Sequence, residues 1–528
     1  MQNRKENIHR KIYIGGLVLL VLSLPLSVFF ISISQFILVG NWIVEGKFKQ
    51  KFEILKSRKG LIVFLLLFAI HLIWLFNTSD FNYAVKDLRI KLPLLLLPLI
   101  IGTSHPVTVK EFKIVLLGLV GSILVASFIS TGIYLGFSSA SIEDNRQLSP
   151  FISHIRFSLV INFCIFVLLG FVFGKKIPVS KNEKFVFIAI SLWLFLFLFI
   201  LKSFTGIAIF FILLFIISAV KIYKIRSFYF KIPLLLALAA IVLVPSIYLK
   251  NKVDDFYDFE KFDRLKLESQ TKSGNYYYHS DNPKRVENGN YVDVYISWKE
   301  IKPAWEALSK IPFDSLDKKS QPLKTTLVRY MTSKGLRKDK EGFEKLTDED
   351  IKKVESGITN YKFQKNPSLD NKIYELIWQF DVYLKEGNPS GHSVIQRLEF
   401  LKASFGLIKD NFWLGIGTGD LPVEYKAQYK KMDSQLKEKF RLRAHNQWVS
   451  FFVAFGIFGF LIAVFAIFYP IFKEKKHRDY YFLVFGLIAF LSMFNEDTIE
   501  SQVGVTFFAF LYSFLIFGND FLKKKLHG

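Results

Sequence analysis

Arg441-Leu442-Arg443-Ala444-His445-Asn446-Gln447-Trp448-Val449-Ser450-Phe451-Phe452 marks the point where a long polar stretch ends and apolar sequence resumes. Residues 250–446 are polar, whereas 447–472 form an apolar run long enough to cross a bilayer. The chain therefore reads as a membrane protein interrupted late by one large loop. Basic residues and an imidazole at the mouth of a span suit a site for an anionic, lipid-borne molecule.

Composition supports the membrane reading. Of 528 residues, 51% are hydrophobic and 58 are Phe, too apolar for a water-soluble protein of this size. Apolar runs predict twelve spans, near 12–26, 27–46, 60–76, 92–103, 113–136, 151–174, 185–201, 204–222, 232–249, 447–472, 480–494 and 502–518. Pro93 and Pro98 predict a kink in the fourth. The expected fold is an all-α polytopic membrane protein of about twelve transmembrane helices. One large, mainly helical periplasmic loop lies between spans nine and ten.

The net charge of +24 does not point to nucleic acid. The loop 250–446 holds 36 Lys and Arg against 30 Asp and Glu, leaving 33 against 15 elsewhere. The excess sits in short connections and tails: 47–59, 175–184, then Lys221, Lys224, Arg226 and Lys231, then Lys473 to Arg478, and Lys523 to Lys525. All fall on one side if both termini are cytoplasmic. The N-terminal apolar stretch is read as a retained anchor. The expected division is 1–249 for spans one to nine, 250–446 for an external loop domain, and 447–528 for the last three spans and a cytoplasmic tail.

Cys164 is the single cysteine, so no intrachain disulfide supports the loop. Thr347-Asp348-Glu349-Asp350 reads as a helix start and Gly357 as its stop. Val394, Leu398, Leu401, Phe405 and Ile408 make one amphipathic stripe; Tyr425, Tyr429, Met432, Leu436 and Phe440 make a second. Such stripes are more often core packing or membrane docking than sites.

Topology filters the candidates for external chemistry. Arg156, beside His154, lies inside the outer end of span six. Lys86, Arg89 and Lys91 precede span four, and Lys202 occupies the turn between spans seven and eight. Glu496, Asp497 and Glu500 connect spans eleven and twelve. Arg397 opens the first loop helix; Arg441, Arg443 and His445 close the second. Snorkelling explains most basic residues near span ends, and the acids have bases nearby to pair with. A charge inside the membrane costs a few kcal/mol, which favours a role for Arg156. Asn411-Phe412-Trp413-Leu414-Gly415-Ile416-Gly417-Thr418-Gly419-Asp420 carries alternating glycines, able to approach a ligand or present amides to an anion. No zinc-type Cys/His cluster and no Gly-x-Ser-x-Gly elbow occur; no cofactor or metal is required.

Arg397-Leu398-Glu399-Phe400-Leu401-Lys402-Ala403, the glycine turn, and His445-Asn446-Gln447-Trp448 leading to Phe455-Gly456-Ile457-Phe458-Gly459 resemble the O-antigen ligase and polymerase superfamily. Glu496-Asp497-Thr498-Ile499-Glu500-Ser501-Gln502-Val503-Gly504 before the last span is similar as well. Residues 250–390 exceed the family's usual loop and resemble a subgroup of Bacteroidetes-type bacteria. The resemblance implies an inner-membrane enzyme of a Gram-negative bacterium. It implies inverting, metal-independent glycosyl transfer at the periplasmic face. The donor would be a glycan on undecaprenyl diphosphate, and the acceptor the lipid A core or another glycan.

The residues suit that chemistry. A lipid diphosphate leaves readily once its charge is neutralised, and arginine binds it bidentately without a metal. Arg156, Arg397 and Arg443 are the leading candidates, with Arg441, Arg89 and Lys202 behind them. Neutral His445 can accept the acceptor hydroxyl's proton. Glu496, Asp497 and Glu500 are candidates to orient His445 or an arginine. A polymerase or a protein O-oligosaccharyltransferase would use the same chemistry on another acceptor. A twelve-span transporter is the rival from another class, but its charges would gather at mid-membrane.

Overall fold

The computed structural model describes residues 2–137, 148–223, 225, 227–363, 369–387, 389 and 393–521. Lys224, Arg226 and Lys523 to Lys525, used above to orient the chain, lie outside the described residues. The described chain is overwhelmingly helical. Its one named sheet is a two-stranded antiparallel ribbon, Val286–Glu287 with Asn290–Tyr291.

Seven described helices are long and apolar enough to cross a membrane: Lys59–Asn77, Val109–Tyr134, His154–Phe173, Lys181–Ile200, Phe204–Tyr223, Lys231–Tyr257 and Gln447–Lys473. Val28–Val44 and Phe48–Ser57 add an eighth if counted together, but they bend by 108°. Gly46 and Lys47, both left-handed, make that bend (φ 67° and 55°).

These eight coincide with eight of the expected spans. The other four rest on shorter apolar stretches. Segment 12–26 falls largely within Gln2–Ser23, whose opening turns are charged. Segment 92–103 is the 11-residue helix Pro93–Thr103. The last two are Tyr480–Met493 and Gln502–Ile516, of 14 and 15 residues. At about 1.5 Å per residue these three reach roughly 16–22 Å, short of an apolar core of about 30 Å. Among the described residues, length and composition therefore support seven crossings, or eight with the bent pair, and leave the other four expected spans unconfirmed.

The chain folds as two compact units. The first comprises Met1–Lys224, Phe400–Ser434 and Arg441–Gly528; the second comprises Ile225–Glu399 and Gln435–Phe440. Residues 400–434 and 441–446 thus fold with the apolar helices.

In the first unit, Lys59–Ile73 packs along Gln447–Lys473, and Pro93–Thr103 packs on Gln502–Ile516. His154–Phe173 lies against Lys181–Ile200, Phe204–Tyr223 and Tyr480–Met493. Helix starts are set by side-chain caps. Thr108 with Glu111 and Ser180 with Glu183 form capping boxes, and Asn446 accepts from the Val449 amide.

The second unit has its own core, in which Trp305, Tyr330, Leu323, Leu327 and Met331 are fully buried. Helix Asp348–Glu355 starts at the Thr347 capping box, and Gly357 follows it at φ 73°, as the sequence predicts. Helix Phe228–Tyr257 packs on Leu369–Glu386 through Phe256, Trp378 and Val382.

Both predicted stripes change on folding. Helix Ser393–Asp410 buries Ile395, Phe400, Ala403, Ser404 and Leu407, while Val394 and Phe405 are 38% and 59% exposed. The expected stripe is therefore not the buried face. Small residues allow the true contact: Ser404 Oγ lies 2.7 Å from the Tyr425 hydroxyl, and Gly406 abuts the Gln428 side chain. The second helix, Leu421–Lys431, stops before Asp433 (φ 47°). Residues 441–446 are not helical, so Arg441 and His445 share no helix face.

Candidate active site

The glycine turn is spliced into two helices. Gly456 (φ 60°, ψ −167°) breaks the helical path of Gln447–Lys473. The Val453 and Ala454 carbonyls instead accept from the Ile416 and Gly417 amides, at 3.0 and 2.9 Å. The Ile457 amide donates to the Phe412 carbonyl at 2.8 Å. On the other side, Trp74 Nε1 donates to the Leu414 carbonyl and Asn77 Nδ2 to the Gly415 carbonyl. Asp420 accepts from the Ser79 and Asp80 amides. A Cβ at Gly417 would stand 1.9 Å from the Asn77 oxygen, and one at Gly415 2.4 Å from the Gly456 nitrogen. These glycines bring backbone against backbone. The Ile416 and Gly417 amides are consumed inside the protein rather than offered to an anion.

The splice anchors the N-terminal end of Gln447–Lys473, where the charged residues meet. Lys91 ends helix Phe81–Lys91, is 1% exposed, and lies 2.6 Å from Asp87 Oδ1 and 2.8 Å from Glu500 Oε2. Arg443 Nη1 donates to the same Glu500 oxygen at 3.0 Å. Gln447 Nε2 donates to the other Glu500 oxygen at 3.0 Å, while its own oxygen accepts from the Ile499 amide. Arg443 also reaches Asp497 (3.9 Å) and the Tyr83 hydroxyl (3.4 Å). Ser450 Oγ donates to Asp497 at 2.8 Å.

Three carboxyls thus face two cations in a nearly dry cluster. Burial works against the Glu500 carboxylate, but Lys91 and Arg443 outweigh it and hold its carboxyl well below the usual range. Burial dominates at Asp497 and pushes its carboxyl up, against the pull of Arg443. Burial likewise dominates at Asp87 and pushes its carboxyl up, against the pull of Lys91.

Hydrogen bonds tie other span ends to this one. Asn446 Nδ2 donates to the Phe494 carbonyl, and Asn495 Nδ2 to Thr205 Oγ1. Ser203 Oγ donates to Ser158 Oγ, joining the turn that carries half-buried Lys202 (φ 52°) to the helix that carries Arg156. Arg156 Nε is buried, with no hydrogen-bond partner among the described residues. His445 is half-buried and left-handed (φ 48°), its ring 5.6 Å from that of Phe400.

Arg441 Nη2 donates to the Ser434 carbonyl. Arg89 is exposed on the side of its helix away from Lys91. Glu496 is half-buried in the same connection as Asp497. Arg397 belongs to the second unit. Sequence reasoning singled out Arg443, Asp497 and Glu500, counted Lys91 among the outer-face bases without ranking it, and gave no role to Asp87, Tyr83 or Gln447. A buried lysine four residues after an aspartate, just before an apolar helix, was the available signal.

The fold and this cluster define a polytopic helical membrane protein with a charged site at one set of span ends. Residues 356–464 match the family model described as O-antigen ligase. That match, over about a fifth of the chain, supports membership of the O-antigen ligase superfamily. The matched stretch contains Arg397, the glycine turn, Arg443, His445 and the helix break at Gly456. No curated protein matches the chain.

Proposed function

We propose that this protein is an O-antigen ligase-type glycosyltransferase of the bacterial inner membrane, acting at the periplasmic face. It moves a glycan from undecaprenyl diphosphate to a hydroxyl of the lipid A core. The observation that carries the reading is the buried Lys91–Glu500–Arg443 cluster, set two residues from His445 at the mouth of a span. Glu500, Asp497 and the Tyr83 hydroxyl fix Arg443 in place, which holds a guanidinium ready for a diphosphate beside His445.

The transfer is a single displacement. The acceptor oxygen forms a bond to the anomeric carbon as the bond to the diphosphate oxygen breaks. The lipid diphosphate departs with the electron pair, stabilised by Arg443 and Arg156, and the hydroxyl proton passes to His445. Attack opposite the leaving group inverts the anomeric centre. Because three carboxyls already face Lys91 and Arg443, Arg156, with its unpartnered Nε, supplies positive charge that Arg443 alone lacks. A polymerase would differ only in using a second lipid-linked glycan as acceptor.

The test is reconstitution with a lipid-linked glycan in EDTA, offering lipid A core and a second lipid-linked glycan in competition. The proposal expects glycosylated core as the product and its loss with His445→Ala. Elongated lipid-linked glycan would assign a polymerase. Donor carried across vesicles without transfer would overturn the enzyme reading.

A further inference from the structure

The second unit holds a cavity of about 370 Å³ whose wall includes Lys338. That volume is within the range of small-molecule sites. Lys338 is 2% exposed, so its side chain is almost wholly withdrawn from water. Its backbone is fixed on both sides: its amide donates to the Tyr295 carbonyl, and its carbonyl accepts from Ser297.

Two acids that act on it are already engaged. Asp293 pairs with Arg285 at 2.6 Å, while Asp339 accepts from the Tyr277 hydroxyl and the Gly342 amide. Among the described residues the Lys338 ammonium has no hydrogen-bond or ion-pair partner. An ammonium so largely withdrawn from water and lacking a protein partner is one that an anionic ligand can pair with.

The remaining wall suits a sugar more than a bare anion. Tyr291 is held by the bond from the Phe262 amide to its hydroxyl, and its ring packs edge-on against Phe262. Tyr295, at φ 53°, lies under the Arg337 guanidinium at 4.4 Å. Arg337 is itself bound to both oxygens of Glu268 and serves as wall rather than as a free cation. Aromatic faces with hydroxyl and amide groups around them are what a pyranose ring packs against. Two acids line the wall: Asp263 is turned to the Leu265 amide, and Glu260 stands there with Lys261 and Lys266.

We infer that this cavity is a binding site for an acidic saccharide, with a hexuronic acid residue placing its carboxylate on Lys338 and its ring against Tyr291 or Tyr295. The inference does not rest on the transfer reaction, and its readout is binding.

Full-length protein in lipid nanodiscs would be titrated with a glucuronosyl-glucose disaccharide, cellobiose and inorganic phosphate, followed by calorimetry and saturation-transfer NMR. The acidic disaccharide is expected to bind at least tenfold more tightly than cellobiose or phosphate. Lys338→Met is expected to weaken it at least tenfold, with the melting temperature retained. Should that variant fail to fold, the wild-type preference for the uronate over cellobiose decides. The proposal is overturned if the wild type gives no signal with the disaccharide or binds cellobiose equally. It is also overturned if phosphate binds as tightly, which would mean an anion site only, or if Lys338→Met leaves affinity unchanged.

Discussion

Replacing Glu500 by Gln keeps the shape of the buried cluster and removes one charge. Lys91 would retain Asp87 at 2.6 Å, but Arg443 would keep only Asp497 at 3.9 Å and Tyr83 at 3.4 Å. The side chains of Lys91 and Glu500 are 2% and 8% exposed, so solvent screens their attraction little. Removing one partner of a buried pair costs about 3–5 kcal/mol. Here two cations would still face two acids, Asp87 and Asp497, which replace part of what is lost. We therefore expect Glu500→Gln to cost about 2–3 kcal/mol, below the full value for a broken buried pair. Lys91→Met leaves three acids facing Arg443 alone and should cost about 3–5 kcal/mol. In the double variant the losses should overlap, giving a coupling of about 1–3 kcal/mol. Reversible unfolding of all four proteins in nanodiscs measures it. Additivity within about 0.5 kcal/mol would show that the two side chains do not act as a pair.

Gly417→Ala should abolish folded protein, because its Cβ would stand 1.9 Å from the Asn77 oxygen; Gly121→Ala, with open space around its Cβ, is the neutral control in an expression assay. His445→Asn tolerates the left-handed backbone and should preserve the melting temperature while lowering transfer by about 100-fold or more; unchanged turnover would remove His445 from the reaction. Arg156→Met should raise the melting temperature, since it removes an unpartnered buried Nε, yet weaken donor binding; a snorkelling arginine would show neither effect. Burial pushes Lys338 down to about 7, with Asp293 and Asp339 opposing it, so between pH 7 and about 10 the unfolded chain binds the extra proton. Stability should therefore rise with pH across that window, and Lys338→Met should flatten the rise in melts taken from pH 6 to 10.

Much of the architecture was legible along the chain. Seven spans, or eight with the bent pair, follow from apolar runs, because a helix that crosses a bilayer must be apolar over its length. The Thr347 cap and the Gly357 stop were legible because they act within a few residues. The stripe on Ser393–Asp410 misled for a physical reason. Periodicity marks an apolar face, but near a bilayer an outer face can be apolar too, so the pattern does not say which side packs. Ala403 and Ser404 carry the real contact because they are small, which a hydrophobicity pattern undervalues.

The candidate site was legible in part. Arg443 and His445 stand beside the span in the chain itself. The glycines of 415–419 announced a close approach; the structure identified the approaching groups as the Gly456 break and the Asn77 backbone.

Composition and order of residues settle that the chain is a helical membrane protein with a late polar stretch, since hydropathy and end caps act locally. Which charges neutralise one another is not local. Lys91 and Glu500 are 409 positions apart, and only the packing of their helices brings the ammonium to 2.8 Å from the carboxylate. An ion pair in a dry site depends on that distance, which no run of neighbouring residues specifies.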